Sequence, residues 1–145
     1  MDDSPDILTP PYVLEDQVGY LLRLASQQHA VIFQKHTIDN LTPTQFSTIL
    51  RVAEVGEVSQ NHLGRLTAMD VATIKGVVDR LKAKGLAQST SDPNDKRRSI
   101  ISLTAKGTAM VQDLKAMGHA ITDETLAPLE PEERQIFLKL LRKLN

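Results

Sequence analysis

A turn followed by three consecutive basic residues lies past the middle of the chain. Pro93 and Asn94 favour a tight turn, and Lys96, Arg97 and Arg98 place three positive charges beside it. Such side chains bind phosphates, and an arginine can enter the narrow, electronegative minor groove of A/T-rich DNA. The segment therefore indicates contact with a polyanion, and a solvated basic hairpin is the alternative.

An upstream predicted helix carries a second set of residues that could read DNA. Asp70 is a typical N-cap, and Gly85 is a typical left-handed helix end. Apolar residues at three- and four-residue spacing must face the domain, and they are Ile74, Val77, Val78 and Leu81. The opposite side carries Val71, Ala72, Thr73, Lys75, Gly76 and Arg80. We expect a recognition helix in the major groove.

The outward residues of this helix differ in what they can do. In the first turn, Thr73 can hydrogen-bond a base or a phosphate, and Val71 and Ala72 can contact thymine methyl groups. Lys75 and Arg80 suit phosphates, which give affinity without sequence information.

Gly76 is unusual on the exposed side of a helix. A glycine there costs about 1 kcal/mol relative to alanine. Close approach to DNA is one explanation for it, and a neutral substitution is the other.

Composition and charge narrow the class of protein. The chain has 145 residues, no cysteine and a net charge of −1, so disulfides and thiol redox switches are excluded. Residues 60–110 hold nine Lys or Arg against four Asp or Glu, which suggests one face that meets a polyanion. Chance clustering would explain the charge equally well. No membrane span or secretory signal is evident, so we expect a cytoplasmic protein without a membrane partner.

Histidines on the first predicted helix could belong to a ligand site. His29 and His36 lie on one apolar stripe of that helix, together with Phe33. One interpretation is a pair of histidines satisfied within the core. The other is an effector pocket between the first, second and fifth helices, where an imidazole meets a carboxylate or phenol and Phe46 helps to bury the ring. Arg23 projects from the opposite side of the stripe and would serve such a pocket only across a two-fold axis.

The sequence contains no strong catalytic motif. Neither a Gly-x-Ser-x-Gly elbow nor a phosphate-cradling glycine loop is present. The four histidines provide no pair at three- or four-residue spacing that would suit a metal. We expect no enzyme activity, no metal and no cofactor.

The predicted elements place the candidate residues in a winged helix-turn-helix, a mainly α fold with a two-stranded wing. The predicted elements are helices over about 14–36, from 43 to Gly56, a short one after Ser59, one from Asp70 to Gly85, one from Thr104 to about 121 and one from Glu130, with strands at 86–91 and 99–103. Residues 1–11 are interpreted as a loose arm. The first and last helices are more apolar than a lone module needs, so we expect them to form a two-fold helical interface together with the fifth.

At this point the sequence resembles the MarR family of bacterial transcription regulators. The resemblance covers roughly residues 15–145. It rests on Leu41-Thr42-Pro43-Thr44-Gln45-Phe46, the helix pair through Leu81-Lys82-Ala83-Lys84-Gly85-Leu86, the wing Asp92-Pro93-Asn94-Asp95-Lys96-Arg97-Arg98, and Leu103-Thr104-Ala105-Lys106-Gly107.

The resemblance implies a single domain over residues 1–145. Dimerisation helices would occupy about 1–38 and 104–145, and the DNA-binding region about 41–103. It also implies a homodimer on a palindromic operator in double-stranded DNA, with Arg97 inserted in the minor groove and Asp95 as its orienting partner. A small aromatic acid, or its coenzyme A thioester, would release the DNA.

The sequence therefore predicts a ligand-responsive, DNA-binding transcriptional repressor. The alternative is a constitutive DNA-binding or silencing protein that has no effector.

Overall fold

Six α-helices and three short β-strands make up the part of the chain that the structure describes, residues 10–145 of a computed structural model. The elements are α1 (Val18–His36), α2 (Pro43–Val55), β1 (Val58–Ser59), α3 (Gln60–Leu66), α4 (Val71–Ala83), β2 (Ala87–Asp92), β3 (Asp95–Leu103), α5 (Ala105–Thr125) and α6 (Pro131–Lys143). A 3₁₀ turn at Leu14–Asp16 precedes α1. Residues 1–9, most of the predicted N-terminal arm, lie outside the described residues.

The helices begin where the capping residues predicted. The Thr42 hydroxyl accepts a hydrogen bond from the Gln45 backbone N–H at 3.3 Å, and the Gln45 side chain accepts one from the Thr42 N–H at 3.2 Å. This capping box satisfies two N–H groups that α2 leaves without helical partners. The side chains of Ser59, Asp70 and Thr104 each accept one hydrogen bond from a backbone N–H in the first turn of α3, α4 and α5.

The wing is longer than the sequence predicted, and its basic residues lie on a strand rather than at its tip. β2 and β3 are antiparallel, with Ala87 opposite Leu103 and Asp92 opposite Asp95. Only Pro93 and Asn94 therefore remain as the turn, and regular pairing resumes at Ser99 after an irregularity at Lys96–Arg98. The two-residue β1, which was not predicted, pairs with the other edge of β3 and gives the sheet order β1-β3-β2.

Two hydrophobic clusters hold the helices and the sheet together. The first joins α1, α2, α4 and α5, and its most buried members include Leu41, Ile49, Leu81 and Leu114. The second packs α2, α3 and α4 on the sheet through residues such as Val52, Leu63 and Ile101. Helix α2 contributes to both clusters, since Ile49 lies in the first and Val52 in the second.

The start of α5 is hydrogen-bonded to the turn that ends α4. The Thr104 N–H donates to the Leu86 carbonyl at 3.1 Å, and the Thr104 hydroxyl donates to the Gly85 carbonyl at 2.6 Å. Gly107 then lies so close to this turn that an added Cβ would be 2.1 Å from the Leu86 carbonyl oxygen. The glycine of the Leu-Thr-Ala-Lys-Gly motif is therefore required by a backbone-to-backbone contact.

Helix α1 is buried within the chain only over its second half. Ile32 and Phe33 are buried, but Val18, Leu22 and Ala25 are exposed. These three residues line an apolar groove of about 540 Å³ with Phe137 and other residues of α6. Helix α6 itself buries no residue in the described chain, because its apolar side faces this groove rather than the core.

Candidate DNA-reading surface and effector cavity

The outward side of α4 presents the residues that the sequence assigned to it. Ile74, Val77, Val78 and Leu81 are buried, which leaves the opposite side free. Val71 is 68% exposed at the first turn. The Asp70 carboxylate accepts a hydrogen bond from the Thr73 N–H at 2.7 Å, and these contacts with Thr73 hold the pKa of Asp70 below its usual range. Asp70 therefore remains a charged cap near neutral pH, and α4 starts in a fixed orientation.

The basic side chains of α4 lie on its surface and form only weak, exposed contacts. Lys75 donates to Asp79 at 2.9 Å, one helical turn away, and this bond lowers the pKa of Asp79. An exposed pair of this kind contributes little, so Lys75 can exchange Asp79 for a phosphate. The position of an added Cβ on Gly76 would be 3.2 Å from Nη1 of Arg80. Because Arg80 is exposed and its guanidinium can move aside, no packing contact within residues 10–145 requires a glycine at this position.

The Arg97 side chain of the wing is almost fully exposed, and Asp95 is hydrogen-bonded to this residue. One Asp95 oxygen accepts hydrogen bonds from the Arg97 N–H at 3.0 Å and from its Nε at 3.3 Å. The Arg97 side chain nevertheless remains 92% exposed. The pairing register skips Lys96, Arg97 and Arg98, because Asp95 is opposite Asp92 whereas Ser99 is opposite Ser91. Arg98 lies 3.9 Å from Asp92. The three basic residues therefore form an irregular segment of β3 directly after the turn.

Two polar residues near the wing were missed by the sequence reasoning. Gln60 and Asn61 open α3 and line a small cleft with Arg97 and Arg98. The capping residue Ser59 signalled a helix start here, but only the pairing of β1 with β3 brings that start beside the wing.

A cavity of about 170 Å³ lies between α1, α2 and α5, where one of the two interpretations of the histidines placed an effector pocket. It brings together the predicted residues His29, Phe33 and Phe46. Its other walls, which the sequence did not reveal, are Pro43, Ser47, Gly118, Ile121 and Thr122. The rings of Phe33 and Phe46 meet edge to face, with centroids 5.8 Å apart. The cavity thus combines aromatic walls with one imidazole and two hydroxyl groups.

His29 is held by a residue from the far end of the chain. Its Nδ1 lies 2.9 Å from the Thr125 hydroxyl, which can act as donor or acceptor. No other described side chain is hydrogen-bonded to His29. In the neutral tautomer that accepts from Thr125, and equally in the protonated ring, Nε2 carries a hydrogen. His29 can therefore donate to an anion that enters the cavity.

Two residues predicted for the pocket lie outside it. The Nε2 of His36 is 2.7 Å from Glu124, and Lys35 also bonds that carboxylate. The bonds from Lys35 and His36 hold the pKa of Glu124 below its usual range. His36 therefore joins α1 to α5 and does not line the cavity. Arg23 lies over the Tyr20 ring at 5.5 Å, well before His29 on α1, so within one chain it does not reach the cavity.

A larger groove offers a less suitable ligand site. It has a volume of about 740 Å³ and lies between the end of α2, β3 and the first half of α5. Its described walls include Glu54, Glu57 and Lys115 but no aromatic side chain, and Glu54 is already paired with Arg51 at 2.7 Å. A planar aromatic ligand fits the smaller cavity better.

Within residues 10–145, no helix is long and apolar enough to cross a membrane. The same residues contain no cluster of three His, Asp or Glu side chains that could hold a metal ion.

Helices α3 and α4, followed by the wing strands β2 and β3, form a winged helix-turn-helix. A model of the MarR family matches residues 39–98. The chain is 42% identical to the HTH-type transcriptional repressor NicR of Pseudomonas putida, over 92% of this chain and 85% of that one. The chain therefore belongs to the MarR family and is a DNA-binding transcription regulator, as the resemblance predicted.

Two solved structures are similar over nearly the whole chain. A probable transcriptional regulator from Pseudomonas aeruginosa is 44% identical with a TM-score of 0.88, over 92% of this chain and all of that one (100%). BpsR of Bordetella bronchiseptica, whose DNA binding is regulated by 6-hydroxynicotinic acid, is 38% identical with a TM-score of 0.87, over 93% of this chain and 97% of that one.

Proposed function

We propose that this protein is a homodimeric repressor that a small aromatic acid releases from a palindromic operator. The observation that carries the proposal is the cavity between α1, α2 and α5, in which His29 faces two phenylalanine rings. An aromatic acid would bury its ring between Phe33 and Phe46 and pair its carboxylate with His29 Nε2.

The size of the cavity favours a single ring. Its volume of about 170 Å³ is close to the roughly 150 Å³ of an apolar cavity that binds benzene. A coenzyme A thioester would leave most of its atoms outside, so we propose the free acid. Since the DNA binding of BpsR is regulated by 6-hydroxynicotinic acid, this compound is the first effector to test.

Helix α2 connects the proposed effector cavity to the helices that would bind DNA. Pro43, Phe46 and Ser47 line the cavity from the first half of α2, and Val52 packs on α3 and α4 from its second half. A ligand that moves α2 would therefore move the recognition helix. It can release DNA only to the extent that it binds the two arrangements with different affinity.

The apolar groove between α1 and α6 supports a dimer. Leu140 and Leu144 lie in this groove and are 54% and 68% exposed. An exposed apolar patch of this kind is unusual for a monomeric protein. A second copy covering this groove would make a two-fold dimer with two copies of α4, and a two-fold dimer suits a palindromic operator. Residues 41–103 would then be the DNA-binding region, and α1, α5 and α6 the dimer region.

We expect 6-hydroxynicotinate to release the protein from DNA of its own promoter region. Fluorescence anisotropy should show weaker binding with the compound present, and a thermal shift assay should show a higher melting temperature, because a ligand of the folded state stabilises that state. If DNA binding is tight but unaffected by a panel of single-ring aromatic acids, the protein is instead a constitutive DNA-binding protein.

We also expect Arg97→Ala to weaken operator binding by at least about 1 kcal/mol, the scale of a lost hydrogen bond to a charged group. The loss should be larger on A/T-rich flanking sequence, where the minor groove is narrow. Anisotropy titrations at several salt concentrations would measure it. Lys139→Ala, which removes one charge from α6, is the control and should bind like the parent. Equal affinity of Arg97→Ala and the parent would exclude a role for the wing arginine.

A further inference from the structure

We propose that Gly118 determines which ring sizes the effector cavity accepts, by letting the Phe46 side chain lie against α5. This inference rests on the proposed effector site and adds a specificity-determining residue to it. Nothing in the sequence pattern singled out Gly118, which lies within a long regular helix.

The contact between Gly118 and Phe46 is tight. A Cβ built on Gly118 would be 3.1 Å from Cζ of Phe46 and 3.8 Å from its Cε1. The backbone conformation does not require a glycine here, because the φ of Gly118 is not positive. In the middle of a helix it costs about 0.5–1 kcal/mol relative to alanine. The close approach of Phe46 is therefore the observed reason for its presence.

The Phe46 ring is confined on two sides. Gly118 lies beside its Cζ, and the buried ring of Phe33 meets it edge to face at 76°. A methyl group at position 118 would force the Phe46 ring to shift by a few tenths of an ångström, and both residues line the cavity. Since the cavity is only about the size of one aromatic ring, the displaced ring and the methyl group would remove the space that an effector needs.

Gly118→Ala should therefore bind DNA like the parent but no longer respond to 6-hydroxynicotinate. We expect calorimetry to show at least a tenfold loss of affinity for this compound. The variant should fold, because alanine favours the helix. Gly19→Ala in α1 is the matched control, because an added Cβ there meets nothing within 4 Å. It should bind the compound like the parent.

A second variant tests the same contact from the other side. Phe46→Leu removes the ring atoms that face Gly118, so the double variant Gly118→Ala/Phe46→Leu should regain affinity, to within about threefold of Phe46→Leu alone, since the two positions are in contact. Phe46→Leu should also accept 2-naphthoate, a two-ring acid that the parent should exclude. This measurement remains informative even if Gly118→Ala folds poorly.

The outcomes separate this inference from the proposed site. If Gly118→Ala binds 6-hydroxynicotinate like the parent while His29→Ala does not, the cavity is the effector site but Gly118 does not limit it. If both variants bind like the parent, the site and the inference both fail. Loss of binding in Gly118→Ala that Phe46→Leu does not restore would also overturn the inference, because the loss would then not come from this contact.

Discussion

Gly107→Ala is expected to destabilise the protein by about 3 kcal/mol, the upper end of the usual cost of overpacking. The added Cβ would be 2.1 Å from the Leu86 carbonyl oxygen, a distance at which backbone must move. That movement would also strain the hydrogen bonds from Thr104 to Gly85 and Leu86. In a chain of this length the melting temperature should fall by roughly 6–12 °C.

Thermal unfolding at a fixed protein concentration measures this effect, because the stability of a dimer depends on concentration. Gly19→Ala is again the matched control and should melt at or slightly above the temperature of the parent. An unchanged melting temperature for Gly107→Ala would mean that α5 does not approach the Leu86 backbone as closely as described.

His29→Ala is expected to abolish the response to the effector while DNA affinity remains nearly unchanged. The substitution removes the Nε2 donor that we propose for the carboxylate, and a hydrogen bond to a charged group contributes about 1.5–3 kcal/mol. It also removes the bond to the Thr125 hydroxyl, which costs about 1 kcal/mol of stability. The effector affinity should therefore fall by roughly 10- to 150-fold.

His36→Ala provides the control for this prediction. His36 lies on the same helix, but it bonds Glu124 and does not line the cavity. Calorimetry with 6-hydroxynicotinate should show parental affinity for His36→Ala and the affinity loss given above for His29→Ala. If His29→Ala bound the compound as well as the parent, His29 would be a core residue that only packs against Thr125.

Much of the fold follows from local signals in the sequence. Thr42, Ser59, Asp70 and Thr104 fix the starts of four helices, because each supplies an oxygen to an otherwise unpaired N–H. The strand β1 could not be predicted, since two residues have no periodicity and pair only because β3 passes beside them. The wing was predicted too short because the polar sequence of β2 and β3 resembles a loop, whereas the Pro93–Asn94 turn allows pairing up to Asp92 and Asp95.

The candidate cavity could be predicted only in part. His29, Phe33 and Phe46 were found because they are chemically distinctive and share predicted helix faces. Their partners depend on how α1 crosses α5. Thr125 lies 96 residues from His29, and Glu124 lies 88 residues from His36. Spacing along one helix therefore made the two histidines look equivalent, whereas tertiary contacts separate them.

The position of α2 in both hydrophobic clusters has a further consequence for how sensitive the regulator is in a cell. If α2 couples the cavity to the DNA-binding elements, the coupling is reciprocal, as any coupling between two binding sites must be. The free energy by which the effector weakens DNA binding then equals the free energy by which DNA weakens effector binding. A protein molecule bound to its operator would then require more effector than a free molecule. The affinity measured without DNA would overestimate the response, and raising the concentration of operator copies would shift the induction threshold upward.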